Sequence, residues 1–204
     1  MKKLLLAVLA LYALSGISYA VNFGIGIKGG VGQNDPKTMK QLWNYYGGTI
    51  TKAPGVFSIE GLFEEKILDD SEMQTLGFNK AGIRIGYESY GENKLENSMF
   101  SAKEETYAVP VTAYLRCEKG IKEISPYLGI GFTILKTKAT LAGEDFKEEK
   151  AFPHILVGAE TKLSEQIAIG VDLKININAS VKMEGYTLSN RSGLQGLGVV
   201  RFYF

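Results

Sequence analysis

The chain is poor in the residues that build compact chemical sites. Its 204 residues include one cysteine, one histidine and one tryptophan. A single cysteine excludes an intrachain disulfide and a cysteine-based zinc site. Twenty-three basic against 22 acidic residues leave a formal charge of +1. No nucleic-acid partner is expected of so even a balance. Beyond the first twenty residues no apolar run approaches the ~18 needed for a spanning helix, so a helical membrane protein is excluded. What the chain does have is glycine, 24 residues, together with 11 tyrosines and 10 phenylalanines. Glycine and aromatics in a non-repetitive sequence point to β-structure with tight turns or crowded faces.

The first twenty residues read MKKLLLAVLALYALSGISYA. Lys2 and Lys3 give a positive start, Leu4 to Leu14 an apolar stretch, and Ser18 and Ala20 the small residues before a cleavage point. This is the plan of a secretory signal peptide, cleaved after Ala20. No cysteine lies near that point, so lipoprotein processing is not expected. Two segments result: 1–20 as signal peptide and 21–204 as one mature domain.

That domain alternates. From Ile167 to Asn178 every odd position is Ile, Val or Leu and every even position is Ala, Gly, Asp, Lys or Asn. Successive side chains of a strand point to opposite faces, so one face is apolar and the other polar or small. The pattern recurs at about 23–31, 79–88, 107–116, 127–134, 155–163 and 199–204, and less clearly at 55–63, where Val56 and Leu62 interrupt the polar face. These segments predict eight strands. Polar stretches at 33–53, 90–104, 137–150 and 179–192 read as long loops, and 118–123 and 164–165 as short turns. Long loops at one end and short turns at the other are the layout of an outer-membrane barrel. Pro110 conflicts with its strand, because proline lacks the ladder donor and a closed barrel has no free edge; a bulge is expected there.

Alternation does not say which face points inward. A soluble lipocalin-like carrier would also have eight strands, with an apolar lumen. An apolar exterior is favoured by the terminal strand ending in Phe204 and by aromatics near strand ends (Phe23, Phe63, Tyr87, Tyr107, Phe152, Phe202, Phe204), which suit membrane-interface girdles. Long charged residues also alternate with glycine on the polar face, as in Lys80, Gly82, Arg84, Gly86 and Glu88. A narrow bore holds long side chains only beside small ones. The one tryptophan, Trp43, lies in a predicted loop rather than in the Gly-x-Trp of a lipocalin.

With its signal peptide, the Pro126-Tyr127-Leu128-Gly129-Ile130-Gly131 strand, the Leu163-Ser164-Glu165-Gln166 turn and Phe204, the chain resembles the small outer-membrane β-barrel family. That family is typified by the membrane domain of outer membrane protein A and by outer membrane proteins X and W. The resemblance covers 21–204. It implies an all-β, eight-stranded antiparallel up-and-down transmembrane barrel in the outer membrane of the Gram-negative envelope. It also implies a terminal Phe204 read by the assembly machinery, and contact with outer-membrane lipid and lipopolysaccharide. The peptidoglycan-binding domain of outer membrane protein A has no counterpart here, so tethering to the cell wall is not expected.

Expected in the lumen are Lys28, Glu60, Lys80, Arg84, Glu88, Arg116, Glu160, Lys162, Asp172, Lys174 and Arg201. Buried charges need partners, yet this set holds three surplus cations. An ion-pair network filling the bore is the first reading, and a narrow ion or small-solute channel the alternative. The other alternative is a lipid A acylase or deacylase using His154, with a nucleophile from another strand such as Ser125 or Thr133; the plain reading of His154 is a strand-end residue near the interface. Glu144, Asp145, Glu148 and Glu149 read as a solvated loop that also offers carboxylates to divalent cations. Gln41 to Tyr46, with Trp43, Tyr45 and Tyr46, reads as a loop or a short surface helix. No catalytic residue, cofactor or metal site is assigned, a monomer is expected, and no role is assigned to Cys117. On this reading Val171→Arg, on the lipid face, costs more stability than Asp172→Ala in the lumen.

Overall fold

The computed structural model describes residues 22–32, 40–41, 43–44, 47–52, 55–67, 77–96, 101–118, 123–141, 143–183 and 186–204. Its strands are β1 (Asn22–Gly32), β2 (Thr49–Thr51), β3 (Val56–Lys66), β4 (Lys80–Glu96), β5 (Ser101–Arg116), β6 (Ile124–Leu141), β7 (Glu144–Lys162), β8 (Ile167–Asn176), β9 (Ser180–Met183), β10 (Tyr186–Asn190) and β11 (Gly193–Tyr203). Eight of them form a closed antiparallel wall in the order β1, β3, β4, β5, β6, β7, β8, β11, with β11 pairing back onto β1. β2 adds to the outer part of β4, and β9 pairs only with β10. Among the described residues no helix is long and apolar enough to cross a membrane.

The period of two sets the wall's faces. Ile27, Ile59, Tyr87, Ile130, Val171 and Val200 point outward and are exposed, whereas Lys28, Glu60, Glu88, Asp172 and Arg201 point inward and are buried. Ile130 is 68% exposed and Asp172 0%. An apolar exterior around a polar interior suits lipid outside, not an apolar ligand within. β8 spans 10 residues; at about 3.3 Å each and a tilt of roughly 40° it climbs about 25 Å, the height of a membrane barrel's apolar band. Aromatics mark both borders. Phe23 stacks with Phe204 and tilts against Phe63 at the end where β1 begins and β11 finishes (the turn end), and Tyr87 stacks on Tyr107 toward the other (the loop end). Phe152 does not belong to either girdle: an even position in β7, it is buried inside.

Two of the predicted loops are strand. β4 and β5 continue to Glu96 and Ser101, and β6 and β7 to Leu141 and Glu144, so 90–104 and 137–150 are largely hairpin. The alternation persists, but above the lipid band the outward face changes from apolar to charged. Lys103 pairs across the ladder with Glu92, Lys136 with Glu149 at 2.9 Å and Lys138 with Asp145 at 3.1 Å. Hydropathy therefore lost the strands where the surroundings changed. The stretches 33–53 and 179–192 also carry short strands, β2 and the β9–β10 hairpin.

The bulge is not at Pro110. The β5–β6 register runs straight through it, with Pro110 opposite Thr133. On the β4 side the pairs around Gly86 drop out without a register change, so the missing donor interrupts the ladder and nothing more. The register slips instead between Ser89 and Glu92, where Gly91 adopts φ 71°. Val56 and Leu62, which interrupted the polar face of β3, are inward and buried.

Candidate functional site

The interior is built in tiers from the turn end upward. In the lowest, Arg116 of β5 donates to both carboxylate oxygens of Glu64 at 2.9 Å, donates to the Tyr203 hydroxyl at 2.8 Å, and pairs with Glu160 at 2.8 Å. Tyr114 donates to the same Glu64 at 2.7 Å. Above it Arg201 of β11 bridges three strands, reaching Glu60 at 2.9 Å, Glu160 at 2.5 Å and Asp172 at 3.1 Å. Asp172 also takes Lys28 and the Tyr127 hydroxyl. Arg84 lies between the rings of Tyr114 and Tyr127, 4.1 Å from each centroid, with Asp172 at 3.7 Å. A guanidinium held between two aromatic faces gains cation–π attraction in place of a carboxylate fork.

The next tier holds Lys174, which donates to Glu88 at 2.6 Å, while the Tyr90 hydroxyl donates to Glu88 at 2.8 Å and lies 3.2 Å from Gln195 Oε1. Higher still Arg191 lies 3.6 Å from Glu104 and over the Tyr90 ring. Around this level apolar side chains join the filling: Val56, Leu135, Phe152 and Leu197 cluster with Ala179, just before β9, and Val181 within it. The bore is thus occupied by ion pairs along most of its length, with buried hydrocarbon packed among them toward the loop end.

Glycine makes the lower filling possible. A Cβ on Gly158 would stand 2.3 Å from the Tyr127 ring, one on Gly26 2.8 Å from Glu60 Oε1, and one on Gly82 2.7 Å from the Tyr114 hydroxyl. Not all glycine is explained this way: Gly29 and Gly61 face outward into open space, and nothing in the structure accounts for them.

The nine residues Lys28, Glu60, Arg84, Glu88, Arg116, Glu160, Asp172, Lys174 and Arg201 are all buried inside the barrel and all ion-paired. The apparent surplus of cations disappears. Lys162 is not in the lumen; its side chain is 45% exposed at the turn end, 3.8 Å from Glu118. Lys80 turns to the same Glu118 at 2.8 Å. Burial works against that carboxylate, but the Lys80 hydrogen bond and the charges of Lys80, Lys162 and Arg116 outweigh it and hold its pKa below the ordinary value. Glu64, Glu104 and Arg191 enter the interior set in its place. Glu64 and Glu104 continue the inward parity of β3 and β5 beyond the predicted strand ends. Arg191 follows β10 outside any periodic segment, and no sequence signal marks it. Asp172 meets three cations, so the order expected for Val171→Arg and Asp172→Ala reverses.

His154 is not at the interface. It is 1% exposed in the interior, with Thr112 Oγ1 2.8 Å from Nε2 and Thr133 Oγ1 2.9 Å from Nδ1. Thr133 is itself fully buried, and Ser125 donates to the Glu118 carbonyl at 3.2 Å rather than to His154. Among the described residues no cluster of three His, Cys, Asp or Glu side chains is placed to hold a metal ion. Asp145 and Glu149 face lysines across the hairpin. Trp43 sits in a short helical turn and donates to the Gly48 carbonyl at 2.8 Å; Tyr45 and Tyr46 fall outside the described residues, as does Ala20. Phe204 is 74% exposed, and its amide donates to the Phe23 carbonyl at 2.8 Å. Cys117 is a half-buried free thiol.

The family model described as outer membrane protein beta-barrel domain matches residues 4–195. Solved structures of the same architecture include Neisserial surface protein A, at 13% identity and TM-score 0.50, covering 90% of this chain and 97% of that one. The N-terminal barrel domain of Pseudomonas aeruginosa OprF gives 10% identity and TM-score 0.49, covering 90% and 97%. Ail, the attachment invasion locus protein of Yersinia pestis, gives 11% and 0.44, covering 92% and 100%. No curated protein matches the chain. At these identities the structural likeness speaks for the fold alone.

Proposed function

This chain belongs to the outer membrane protein β-barrel family of the bacterial outer membrane, and from that membership we propose that it is a closed, non-enzymatic barrel whose loop end serves surface interaction. The observation that carries this reading is the double filling of the bore. An ion needs an open polar path, and among the described residues the bore is packed with buried ion pairs and with the apolar cluster of Leu135, Phe152 and Leu197. Wild-type protein in planar bilayers is therefore expected to give no stepwise current at moderate voltage. Regular, ohmic steps would replace this reading with the narrow channel.

In this proposal the turn end faces the periplasm and the charged hairpins rise on the outside. Lys94, Lys103, Lys136 and Lys138 stand there, each beside an acid, at the level where lipopolysaccharide carries its phosphates. The barrel functions as a monomer, and Phe204, exposed at the turn end, is the contact for the assembly machinery. Lipid A chemistry is not part of the proposal, because His154 is enclosed; lipid A from cells with and without the protein is expected to give the same mass spectrum.

Export on a leader cleaved after Ala20 completes the reading. Amino-terminal sequencing of protein from outer-membrane fractions is expected to begin at Val21. A start at Met1 in that fraction would remove the signal peptide from the account.

A further inference from the structure

The outer wall is not evenly packed. On the turn-end half of β3, β4, β5 and β6 lies an apolar groove of about 670 Å³, lined by Phe63, Ala81, Ala113, Leu128 and Ile130, with Glu65 at its margin. Its floor follows from the register. Ala81 faces Leu115 and Ala113 faces Ile83, so two small residues sit diagonally on neighbouring strands while bulkier ones rise on either side. Alanine is a weak strand former, and nothing inside the barrel asks for it at outward positions. The volume is that of a small-molecule site, in the range of roughly 300–1,000 Å³.

Where this groove lies limits its occupant. It opens on the lipid-facing side, beside the Phe23–Phe63 aromatic pair that marks the border of the apolar band. Hydrocarbon is the solvent there, and an unfilled groove would lose dispersion contacts along its lining. Glu65 adds a charge. It is the last outward position of β3, opposite Ala81, and it makes no ion pair or hydrogen bond with another described residue. The adjacent lysines, Lys66 and Lys80, lie on the inner parity of the same ladder. A carboxylate at the head of an apolar groove complements a cationic headgroup and repels an anionic one.

We propose that this groove holds one acyl chain of a phospholipid whose headgroup carries a primary ammonium, with Glu65 meeting the ammonium. The proposal rests on the barrel's place in the outer membrane, with its turn end toward the phospholipid leaflet. The test is native mass spectrometry of the full chain, released from nanodiscs holding equal amounts of phosphatidylethanolamine and phosphatidylglycerol. Wild type is expected to keep one phosphatidylethanolamine, preferred by about fivefold, the reach of one interfacial ion pair. Ala113→Phe, which fills the floor, is expected to lose the retained lipid, while Val171→Phe on the far side keeps it. Glu65→Gln is expected to retain lipid without headgroup preference, and Glu65→Lys to favour phosphatidylglycerol; these two leave the wall's packing untouched if Ala113→Phe fails to fold. Equal retention of both lipids by wild type, or a preference unmoved by both Glu65 variants, overturns the proposal. So does a dimer peak that Ala113→Phe abolishes, which would seat a second copy in the groove. Insertion, scored by the heat-dependent gel shift, is read separately: protein that inserts yet shows no lipid preference refutes the groove and leaves the membrane barrel standing.

Discussion

Asp172→Ala is expected to destabilise the folded barrel by about 3–5 kcal/mol, the cost of breaking a buried ion pair from one side. Asp172 is fully buried and takes Lys28, Arg201 and the Tyr127 hydroxyl, with Arg84 nearby. Its removal strands positive charge where water does not reach. Val171→Arg, one residue away on the lipid face, is expected to cost about 2–4 kcal/mol near the midplane. Urea titrations of the two variants in lipid vesicles give the comparison. A second change separates charge from shape. Asp172→Ala combined with Lys28→Met removes one stranded cation, and part of the loss should return. If Asp172→Ala proves as mild as Val171→Ala, the ion-pair tiers contribute nothing to stability.

Gly131→Val is expected to prevent the barrel from forming. A Cβ at Gly131 would lie 2.0 Å from the Val111 carbonyl oxygen and 2.8 Å from Thr112 Cα, both backbone atoms of the adjacent strand, and 2.9 Å from His154 Cε1. No side-chain rotation relieves a collision with the neighbouring strand's main chain. Gly131→Ala should already cost about 3 kcal/mol, at the upper end for an overpacked site. Gly61→Ala is the control: nothing lies within 4 Å of its added Cβ, and the change should stay within about 0.5 kcal/mol. The heat-dependent gel shift reads both. A normal shift for Gly131→Val would mean that β5 and β6 separate more easily than their close approach implies.

Period-two reading found the wall because lipid and lumen impose opposite demands on alternate residues. Ile167 to Asn178 shows this best, and β8 with Ile177 exposed beyond it follows the same parity. The signal faded where one demand ceased. Above the lipid band Lys103 and Lys136 stand outward, where a strand inside the membrane would carry leucine, so the hairpin extensions passed for loops. Interior charges were legible only as far as the strands were. Glu64 lay one residue past a predicted end, and Glu104 inside a predicted loop. Lys162 was misplaced because parity does not record height, and at the rim an inward lysine reaches water. Hydrocarbon inside the bore was the least legible element. Phe152 passed for a girdle residue, since a phenylalanine near a strand end looks the same whether it meets lipid or a plug.

Arg201 belongs to the last strand, yet its carboxylate partners come from β3, β7 and β8, and Glu60 lies 141 residues upstream. Contacts between such distant segments form late, because the chain must first close long loops. Until β11 docks, Glu60, Glu160 and Asp172 lack their shared cation, and a half-built sheet carries excess negative charge on the face that will become the interior. Such a sheet is poorly soluble in hydrocarbon. Docking of β11 at once joins the edges at β1 and neutralises that face. Closure of the wall and neutralisation of its interior therefore fall to the same strand.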